Sequence, residues 1–162
     1  MTTIRGLRPD DDLGDLIALS REFFDEYEAH HADFFEIDVL RDSDIVDYFI
    51  RSLEGDDGAT FIALVNGHIV GYITVFARSQ AHFYRIRKVG AISGLMVHRD
   101  HRRKGIGSQL YRAAETFFAS KEIAYYTVYT ATENQGAVQF YERNGMAPLH
   151  TTLIGTTGIG DA

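Results

Sequence analysis

Apolar side chains recur every three or four positions in two stretches of the first 55 residues. Such spacing places them along one face of a helix, and it predicts amphipathic helices over 13–27 and 43–53. Pro9 and a run of aspartates precede the first helix and favour its start, whereas Gly55 follows the second. A short strand is expected over 4–8. This part of the chain is therefore predicted to be mainly helical.

The pattern changes after residue 60, where apolar and β-branched residues form short runs separated by turn residues. Asn66-Gly67 stands between two such runs and predicts a β-hairpin. The predicted strands cover 61–65, 69–76, 89–97, 125–130 and 149–154, and the predicted helices cover 107–120 and 135–144. The first of these helices lies between two strands, which requires a crossover and parallel pairing. The sequence thus predicts an α+β fold with a mixed, mainly antiparallel sheet flanked by helices and one parallel strand-helix-strand crossover.

Length and composition narrow the class of protein. The chain has 162 residues, of which 45% are apolar and 24% charged, and this suits one globular domain with a sizeable core. Because there is no cysteine, a disulfide, a thiol nucleophile and a cysteine-based metal site are all excluded. No apolar run reaches about 18 residues, and the N-terminus has no basic segment leading into an apolar one. We expect a cytoplasmic protein without a membrane partner.

Charge is distributed unevenly along the chain, whose net charge is −7. Residues 1–60 contain 17 acidic and 5 basic residues, whereas residues 61–162 contain 6 acidic and 11 basic residues. Acidic helices are commonly no more than solvated surface. The basic half is more informative, because three of its charges adjoin glycines within one short segment, 102–108.

This segment follows the strand predicted at 89–97 and leads into the helix after it. Its residues are Arg102, Arg103, Lys104, Gly105, Ile106, Gly107 and Ser108. Glycines let backbone amides turn toward a ligand, a helix N-terminus adds free N–H donors, and guanidinium groups add charge-assisted hydrogen bonds. The segment therefore predicts a phosphate or diphosphate site, the alternative being an ordinary basic turn. Leu110 excludes a dinucleotide fingerprint, and the absence of Gly-Lys-Ser or Gly-Lys-Thr excludes a Walker loop.

A second motif follows the strand predicted at 125–130. Its residues are Asn134, Ala137, Phe140, Tyr141, Glu142, Asn144, Gly145 and Met146, in the order Asn-x-x-Ala-x-x-Phe-Tyr-Glu-x-x-Gly-hydrophobic. The two motifs and their separation resemble the GNAT superfamily of N-acetyltransferases, from about residue 60 to residue 146. The resemblance implies one N-acetyltransferase domain over 1–162 that uses acetyl-CoA as its acyl donor. The expected parts are acceptor-side helices and the first strand over 1–60, an acyl-CoA-binding core over 61–154 and a flexible tail over 155–162.

The resemblance also implies roles for individual residues. The implied cofactor-binding positions are Leu95, Met96, Val97, Arg102, Arg103, Lys104, Gly105, Ile106, Gly107, Ser108 and Asn134. The pantetheine arm would lie between two splayed parallel strands, with a backbone N–H near Leu95 as oxyanion donor. Arg102 would contact phosphate or brace the loop, and Asn134 would contact the pantetheine arm or cap its helix. Tyr141 is expected to be the general acid for the departing thiolate, or else an aromatic residue packed under the gap.

The general base is where this chain departs from the family pattern. Many relatives place a carboxylate on the strand before the gap, but the residues here are Ile92, Ser93 and Gly94. A water chain remains open, and the other candidates are Glu26, His30, His31, Asp33, Glu36, Tyr125, Tyr126 and Tyr129. Each of them could equally be an ordinary surface residue. The neighbouring histidines lack the spacing of a regular ligand set, so no metal is expected.

Two other functions compete with catalysis. A noncatalytic acyl-CoA-binding or sensing domain of the same fold would account for the missing carboxylate, whereas Tyr141 favours an enzyme. Basic residues at 85–88 and 99–104 suggest a nucleic-acid-binding module, but a pI near 5.4 argues against one. For the enzyme we expect a small-molecule or peptide primary amine as acceptor, a cationic one being attracted by the acidic half. The resemblance also suggests a homodimer.

Overall fold

A computed structural model of the protein describes residues 1–160. The strands are β1 (Thr2–Gly6), β2 (Gly58–Val65), β3 (His68–Ser79), β4 (Lys88–Val97) and β5 (Tyr126–Val128). The helices are α1 (Gly14–Glu28), α2 (Asp42–Leu53), α3 (Ile106–Ser120) and α4 (Gln135–Arg143), with one turn of 3-10 helix at Arg99–His101. The four predicted helices and the strands predicted before residue 131 are therefore confirmed, with shifts of a few residues at their ends.

The five strands form one sheet in the order β1-β2-β3-β4-β5. The pairs β1–β2, β2–β3 and β3–β4 are antiparallel, and β5 runs parallel to β4. The helix α3 connects these two strands, which confirms the predicted crossover. The β2–β3 hairpin turns at Asn66 (φ 51°) and Gly67 (φ 78°), and two successive positive φ angles are what a two-residue type I′ turn requires. The α+β fold with a mixed, mainly antiparallel sheet is confirmed.

Helices cover both faces of the sheet and create two cores. The core under α3 and α4 has Leu110 at its centre, and the core under α1 and α2 has Leu16, both fully buried. Because successive strand residues point to opposite faces, Ile73 of β3 belongs to the first core and its neighbour Tyr72 to the second. The sheet is thus the middle layer, and a residue of β4 faces one helical layer or the other.

A bulge in β4 precedes the point where this strand leaves β5. Val75 pairs with Ile92 and Thr74 with Gly94, so Ser93 is the extra residue. The pairing between β4 and β5 ends at Ile92. Within the described residues, β4 then has β3 on one side over 93–97 and no strand on the other. We call this opening the gap; it lies where the resemblance implies a splayed parallel pair.

The strand predicted at 149–154 is wrong. In the described part of the chain this segment joins no sheet, and Leu149 and Leu153 are 76% and 88% exposed. An apolar run forms a strand only where it finds a hydrogen-bonding edge and a surface to pack on, and this one packs on neither core. The following residues up to 160 are also exposed and outside any strand or helix. Residues 161 and 162 of the predicted tail lie outside the described residues.

Substitution of Gly90 in β4 tests how closely α3 packs on the sheet. A Cβ atom at this position would lie 2.4 Å from Cε1 of Phe118, whose ring is buried and has no room to move aside. Gly90→Ala should therefore lower the free energy of unfolding by roughly 1–3 kcal/mol, the usual cost of overpacking a core. Urea unfolding followed by circular dichroism measures it. Gly6→Ala is the matched control because nothing lies within 4 Å of its Cβ position, and equal stability of the two variants would contradict this packing.

Candidate active site

The loop between β4 and α3 offers free backbone N–H groups. Arg103 (φ 62°) and Gly105 (φ 81°) both adopt left-handed conformations, which turn the chain sharply before α3 begins at Ile106. The N–H of Gln109 donates to the carbonyl of Gly105, so the N–H groups of the residues before it lie ahead of the first helical bond. Free N–H groups at a helix N-terminus attract anions. The loop therefore has a geometry suited to phosphate.

The two glycines of the loop are required for different reasons. Gly105 has open space around its Cβ position, so its requirement is conformational, since few other residues adopt its positive φ. Gly107 has no such φ, but a Cβ there would lie 3.2 Å from Cε2 of Phe140 on α4. The absence of a side chain at Gly107 thus lets the first turn of α3 approach α4. Most of the loop is open to solvent: Arg102, Arg103, Lys104 and Gly105 are exposed, Gly107 and Ser108 are half-buried, and Ile106 is buried.

Arg102 braces the loop with contacts inside the protein. Its Nε donates to the carbonyl of Val97 at 2.8 Å, and its Nη2 donates to Oε1 of Glu26 at 2.8 Å. The same nitrogen lies 3.7 Å from Sδ of Met96. One side chain therefore connects the end of β4, the loop and α1. Arg102 was expected either to contact phosphate or to brace the loop, and the contacts seen here are those of a brace.

Along β4, successive peptide groups point alternately toward β3 and toward the gap. The N–H of His98 donates to a carbonyl of β3 at 2.7 Å, so His98 and, two residues earlier, Met96 face that strand. The peptide groups of Leu95 and Val97 face the gap, and the carbonyl of Val97 is the one that accepts from Arg102. Within residues 1–160 no strand pairs with the N–H groups of Leu95 and Val97, which are left for a ligand. Met96 directs its peptide group away from the gap and buries its side chain in the α1–α2 core.

Tyr141 of α4 is buried in the same core that the side chains of Leu95 and Val97 pack against. Its ring lies beside those of Phe140 and Tyr111, with centroids 5.2 and 6.4 Å away. Burial, with a smaller contribution from Tyr111, raises the pKa of Tyr141 above its ordinary value. The hydroxyl therefore keeps its proton at neutral pH.

Asn134 caps α4. Its Oδ1 accepts from the N–H of Ala137 at 3.1 Å, which satisfies one of the free donors of the helix N-terminus. At the other end Gly145 (φ 96°) follows the helix, and its N–H donates to the carbonyl of Glu142 at 3.0 Å. The cap uses only the side-chain oxygen of Asn134. A contact between its amide nitrogen and the pantetheine arm stays a prediction.

Tyr126 is the candidate base with the most closely defined surroundings. Its hydroxyl is hydrogen-bonded to that of Tyr111 at 2.5 Å and donates to Oε2 of Glu115 at 2.9 Å. Burial and then these two hydrogen bonds raise the pKa of Tyr126. Because a base must give up its proton near neutral pH, this environment makes Tyr126 unsuitable.

The other candidate bases lie in surface contacts. Glu26 is bound to Arg102, and Nδ1 of His31 accepts from the N–H of Phe34 at 3.1 Å. His30 is half-buried beside Tyr27, with ring centroids 6.0 Å apart. The remaining four, Asp33, Glu36, Tyr125 and Tyr129, are exposed. The base therefore stays unassigned.

Two hydroxyl groups that the motifs did not reveal meet at the bulge. Tyr48 of α2 donates to Oγ of Ser93 at 2.7 Å, and a Cβ atom at Gly94 would lie 3.2 Å from Oη of Tyr48. In the sequence, Ser93 stood out only as a position without a carboxylate, and Tyr48 only as an inward-facing residue of a predicted helix. The contact joins residues 45 positions apart, so no local pattern carries it.

Residues 1–160 contain no group of three or more His, Asp or Glu side chains placed to hold a metal ion. In the same range, no helix has the length and apolar character needed to cross a membrane. The features that remain for a ligand are the loop, the gap and the tyrosine and serine hydroxyls beside it.

The sequence profile of the acetyltransferase (GNAT) family matches residues 17–146. This range contains most of α1, the bulge, the gap, the loop and α4. Since the match covers most of the chain, the protein belongs to the GNAT family, and the resemblance drawn from the two motifs is confirmed.

Individual relatives agree with this family. An uncharacterized N-acetyltransferase of Methanocaldococcus jannaschii is 29% identical over 98 residues, which are 60% of this chain and 43% of that protein. The match thus spans less than half the length of the curated relative. A tetramutant of the BH1408 protein from Bacillus halodurans has a TM-score of 0.81 at 19% identity, covering 95% of this chain and 99% of that one.

The aminoglycoside N-acetyltransferase AAC(6')-Iy, solved in complex with CoA, also has this fold. Its TM-score is 0.77 at 17% identity, and the superposition covers 97% of this chain and 95% of that one. At such identities the likeness concerns the fold alone.

Variants of Asn134 separate its two expected roles. Asn134→Ser keeps an oxygen that caps α4 but removes the amide nitrogen, whereas Asn134→Ala removes both. We expect the alanine variant to lose about 1 kcal/mol of stability to urea, and the serine variant to keep most of it. Calorimetric titration with CoA then tests the contact. Weaker binding by the serine variant indicates a contact with the amide, and unchanged affinity of both variants would rule that contact out.

Proposed function

We propose that the protein transfers the acetyl group of acetyl-CoA to a primary amine. The proposal rests on the gap, where the N–H groups of Leu95 and Val97 are free, next to the α3 loop and to the core that contains Tyr141. A ligand with a diphosphate, an arm of amide groups and a terminal thioester suits these three features. Membership of the GNAT family supports the same function, as does the CoA complex of the structurally similar AAC(6')-Iy.

The donor would bind with its phosphates at the loop and its pantetheine arm along β4. Backbone N–H groups from Arg103 to Ser108 would receive the diphosphate, and the exposed basic side chains would add charge. The amide groups of the arm would pair with Leu95 and Val97 as an added strand does. Met96 would contribute by holding the strand to β3, and Asn134 by its free amide nitrogen.

The reaction begins when a neutral amine attacks the thioester carbon and a C–N bond forms. The N–H of Leu95 would stabilise the negative charge on the carbonyl oxygen. The C–S bond then breaks, and Tyr141 donates a hydrogen bond to the departing sulfur and shares its proton with it. The nitrogen loses one proton to water, and a proton from water leaves a thiol and a neutral tyrosine. The products are the acetylated amine and CoA.

The pKa of Tyr141 explains why the proton is shared and not simply released. A thiol titrates at about 8.5, below an ordinary tyrosine at about 10. Burial raises the pKa of Tyr141 further and so disfavours a free tyrosinate. Tyr141 therefore acts as a fixed donor whose hydrogen bond strengthens as negative charge develops on the sulfur.

Release of free thiol from acetyl-CoA, measured across a panel of primary amines, tests the proposed function. At least one amine should raise the rate above that without acceptor. Tyr141→Phe should then lower kcat roughly 100-fold, the loss expected for a proton donor, while CoA affinity is kept because the ring remains.

The matched control for this variant is Tyr84→Phe, at an exposed tyrosine between β3 and β4. Full activity of Tyr141→Phe would remove Tyr141 from the mechanism. CoA binding without amine-dependent thiol release by the unchanged protein would support a noncatalytic acyl-CoA-binding domain instead.

We further propose that the acceptor is cationic. The acidic excess of residues 1–60 belongs mainly to α1, α2 and the connection between them, and these helices cover the face of the sheet on which Tyr48 meets Ser93. Asp33, Glu36 and Asp38 in the connection are all exposed. A negative potential of this kind raises the rate at which cations reach a site. The similar fold of AAC(6')-Iy, an aminoglycoside N-acetyltransferase, is consistent with such an acceptor.

Salt dependence tests the charge of the acceptor. Between about 0.01 M and 1 M salt the screening length falls from about 30 to 3 Å, so long-range attraction is lost. The kcat/KM for a polyamine should therefore fall by roughly tenfold over this range, within the known span of electrostatic steering. A neutral aryl amine, assayed in parallel, should change little. Equal salt dependence of the two acceptors, or a clear preference for the aryl amine, would contradict the proposal.

A further inference from the structure

Three buried hydroxyl groups form a continuous series between α2 and the sheet. Oγ of Ser52 donates to the carbonyl of Phe49 at 2.6 Å and lies 2.8 Å from Oγ1 of Thr60. Oγ1 of Thr60 in turn lies 2.8 Å from Oγ1 of Thr74. All three side chains are at most 1% exposed. Polar groups buried this deeply must be paired with one another, because water does not reach them.

The series continues to the bulge of β4. Burial raises the pKa of Tyr48, and hydrogen bonding with Ser93 and Thr74 partly offsets this rise. Its hydrogen bond to Ser93, at 2.7 Å, leads out of the core, since Ser93 is exposed. We call the five side chains the hydroxyl row; they are Ser52, Thr60, Thr74, Tyr48 and Ser93.

The buried end determines the direction of the hydrogen bonds. Each hydroxyl has one proton. Ser52 uses its proton on the carbonyl of Phe49, so the proton between Ser52 and Thr60 is that of Thr60. The proton between Thr60 and Thr74 is then that of Thr74. Toward Tyr48, Thr74 is consequently an acceptor and never a donor.

The hydrogen bond from Tyr48 leaves Ser93 able both to donate and to accept. With Tyr48 donating to Ser93, the proton of Ser93 is free for a ligand, and the second lone pair of its oxygen is free to accept an N–H. The row ends at a helix carbonyl inside the core and carries no proton to solvent. Its use is therefore to orient the hydroxyl of Ser93.

Ser93 stands beside the free peptide group at which the thioester would bind. It is the extra residue of the bulge, directly after the last β4–β5 pair and two residues before Leu95, a distance of roughly 7 Å along a strand. Its partner Tyr48 comes from α2, on the face opposite the core that holds Tyr141. A donor in the gap would have Tyr141 on one side and Ser93 on the other.

We propose that Ser93 binds the acceptor amine and orients it toward the thioester, and that Tyr48 is the positioning residue for Ser93. This inference rests on the proposed function. The Ser93 oxygen accepts one N–H of the neutral amine, and the lone pair on nitrogen then points at the thioester carbon. Ser93 forms no covalent bond and has no net change in protonation. The C–N bond forms and the C–S bond breaks as described above, and the nitrogen releases its proton to water.

Steady-state kinetics of Ser93 variants test the proposal, with an amine found active in the panel. Ser93→Ala should lower kcat/KM for the amine by about tenfold, the usual effect of losing one hydrogen bond to substrate. The KM for acetyl-CoA should stay unchanged. Ser93→Thr, which keeps a hydroxyl, should restore most of the activity. Ser79→Ala, at an exposed serine at the far end of β3, is the matched control.

Tyr48→Phe tests the positioning role. It should reduce kcat/KM for the amine less than Ser93→Ala does, and adding it to Ser93→Ala should cause no further loss, since both act through one hydroxyl. Urea unfolding of each variant checks that the fold is kept. Additive losses would show that Tyr48 does not act through Ser93.

The outcomes separate this proposal from the proposed function. If the unchanged protein acetylates an amine and Ser93→Ala does so equally well, or if its loss lies in the KM for acetyl-CoA, the role of Ser93 is overturned and the enzyme remains. If the unchanged protein acetylates no amine, both proposals fall.

Discussion

Beyond Ile92, β4 pairs with another strand along one edge only within residues 1–160, and the rest of the site depends on this constraint. Peptide groups in a folded protein need partners, and within a sheet the neighbouring strand normally supplies them. Here the pairing of β5 with β4 ends after three residue pairs, and α3 begins at Ile106, beyond the end of β4. In the function proposed here, the unpaired edge would take the amide-containing arm of the donor, and the helix N-terminus would take its diphosphate. The end of one strand pairing would thus provide for both parts of the donor.

The residues proposed for the reaction lie on opposite faces of the sheet. Tyr141 belongs to the core under α3 and α4, whose residues also form the loop and the crossover. Tyr48 belongs to the opposite layer, which is made by the acidic N-terminal helices. In the function proposed here, the leaving group and the acceptor therefore meet different layers, and each layer has the charge that suits its ligand. The uneven charge noted in the sequence has a structural counterpart in these two layers.

Local patterns predicted the helices, the hairpin and the loop, because each depends on neighbours within a few positions. The crossover also followed from element order. The bulge could not be predicted, since Ser93 is extra only in relation to its pairing with β3, and nothing in its own segment indicates that register. The hydroxyl row likewise joins α2, β2, β3 and β4, and only the folded sheet brings them together. The segment at 149–154 has strand-forming residues, but propensity alone does not supply an edge to pair with.

The contacts of Arg102 affect which substitutions the protein can tolerate. Its guanidinium holds both the end of β4 and Glu26 of α1, and it therefore connects this acidic helix to the loop proposed for the diphosphate. A substitution that shifts α1 would displace the loop as well unless the link to Glu26 is preserved. In the function proposed here, changes in the N-terminal helices and changes in donor affinity would therefore be coupled through this one side chain.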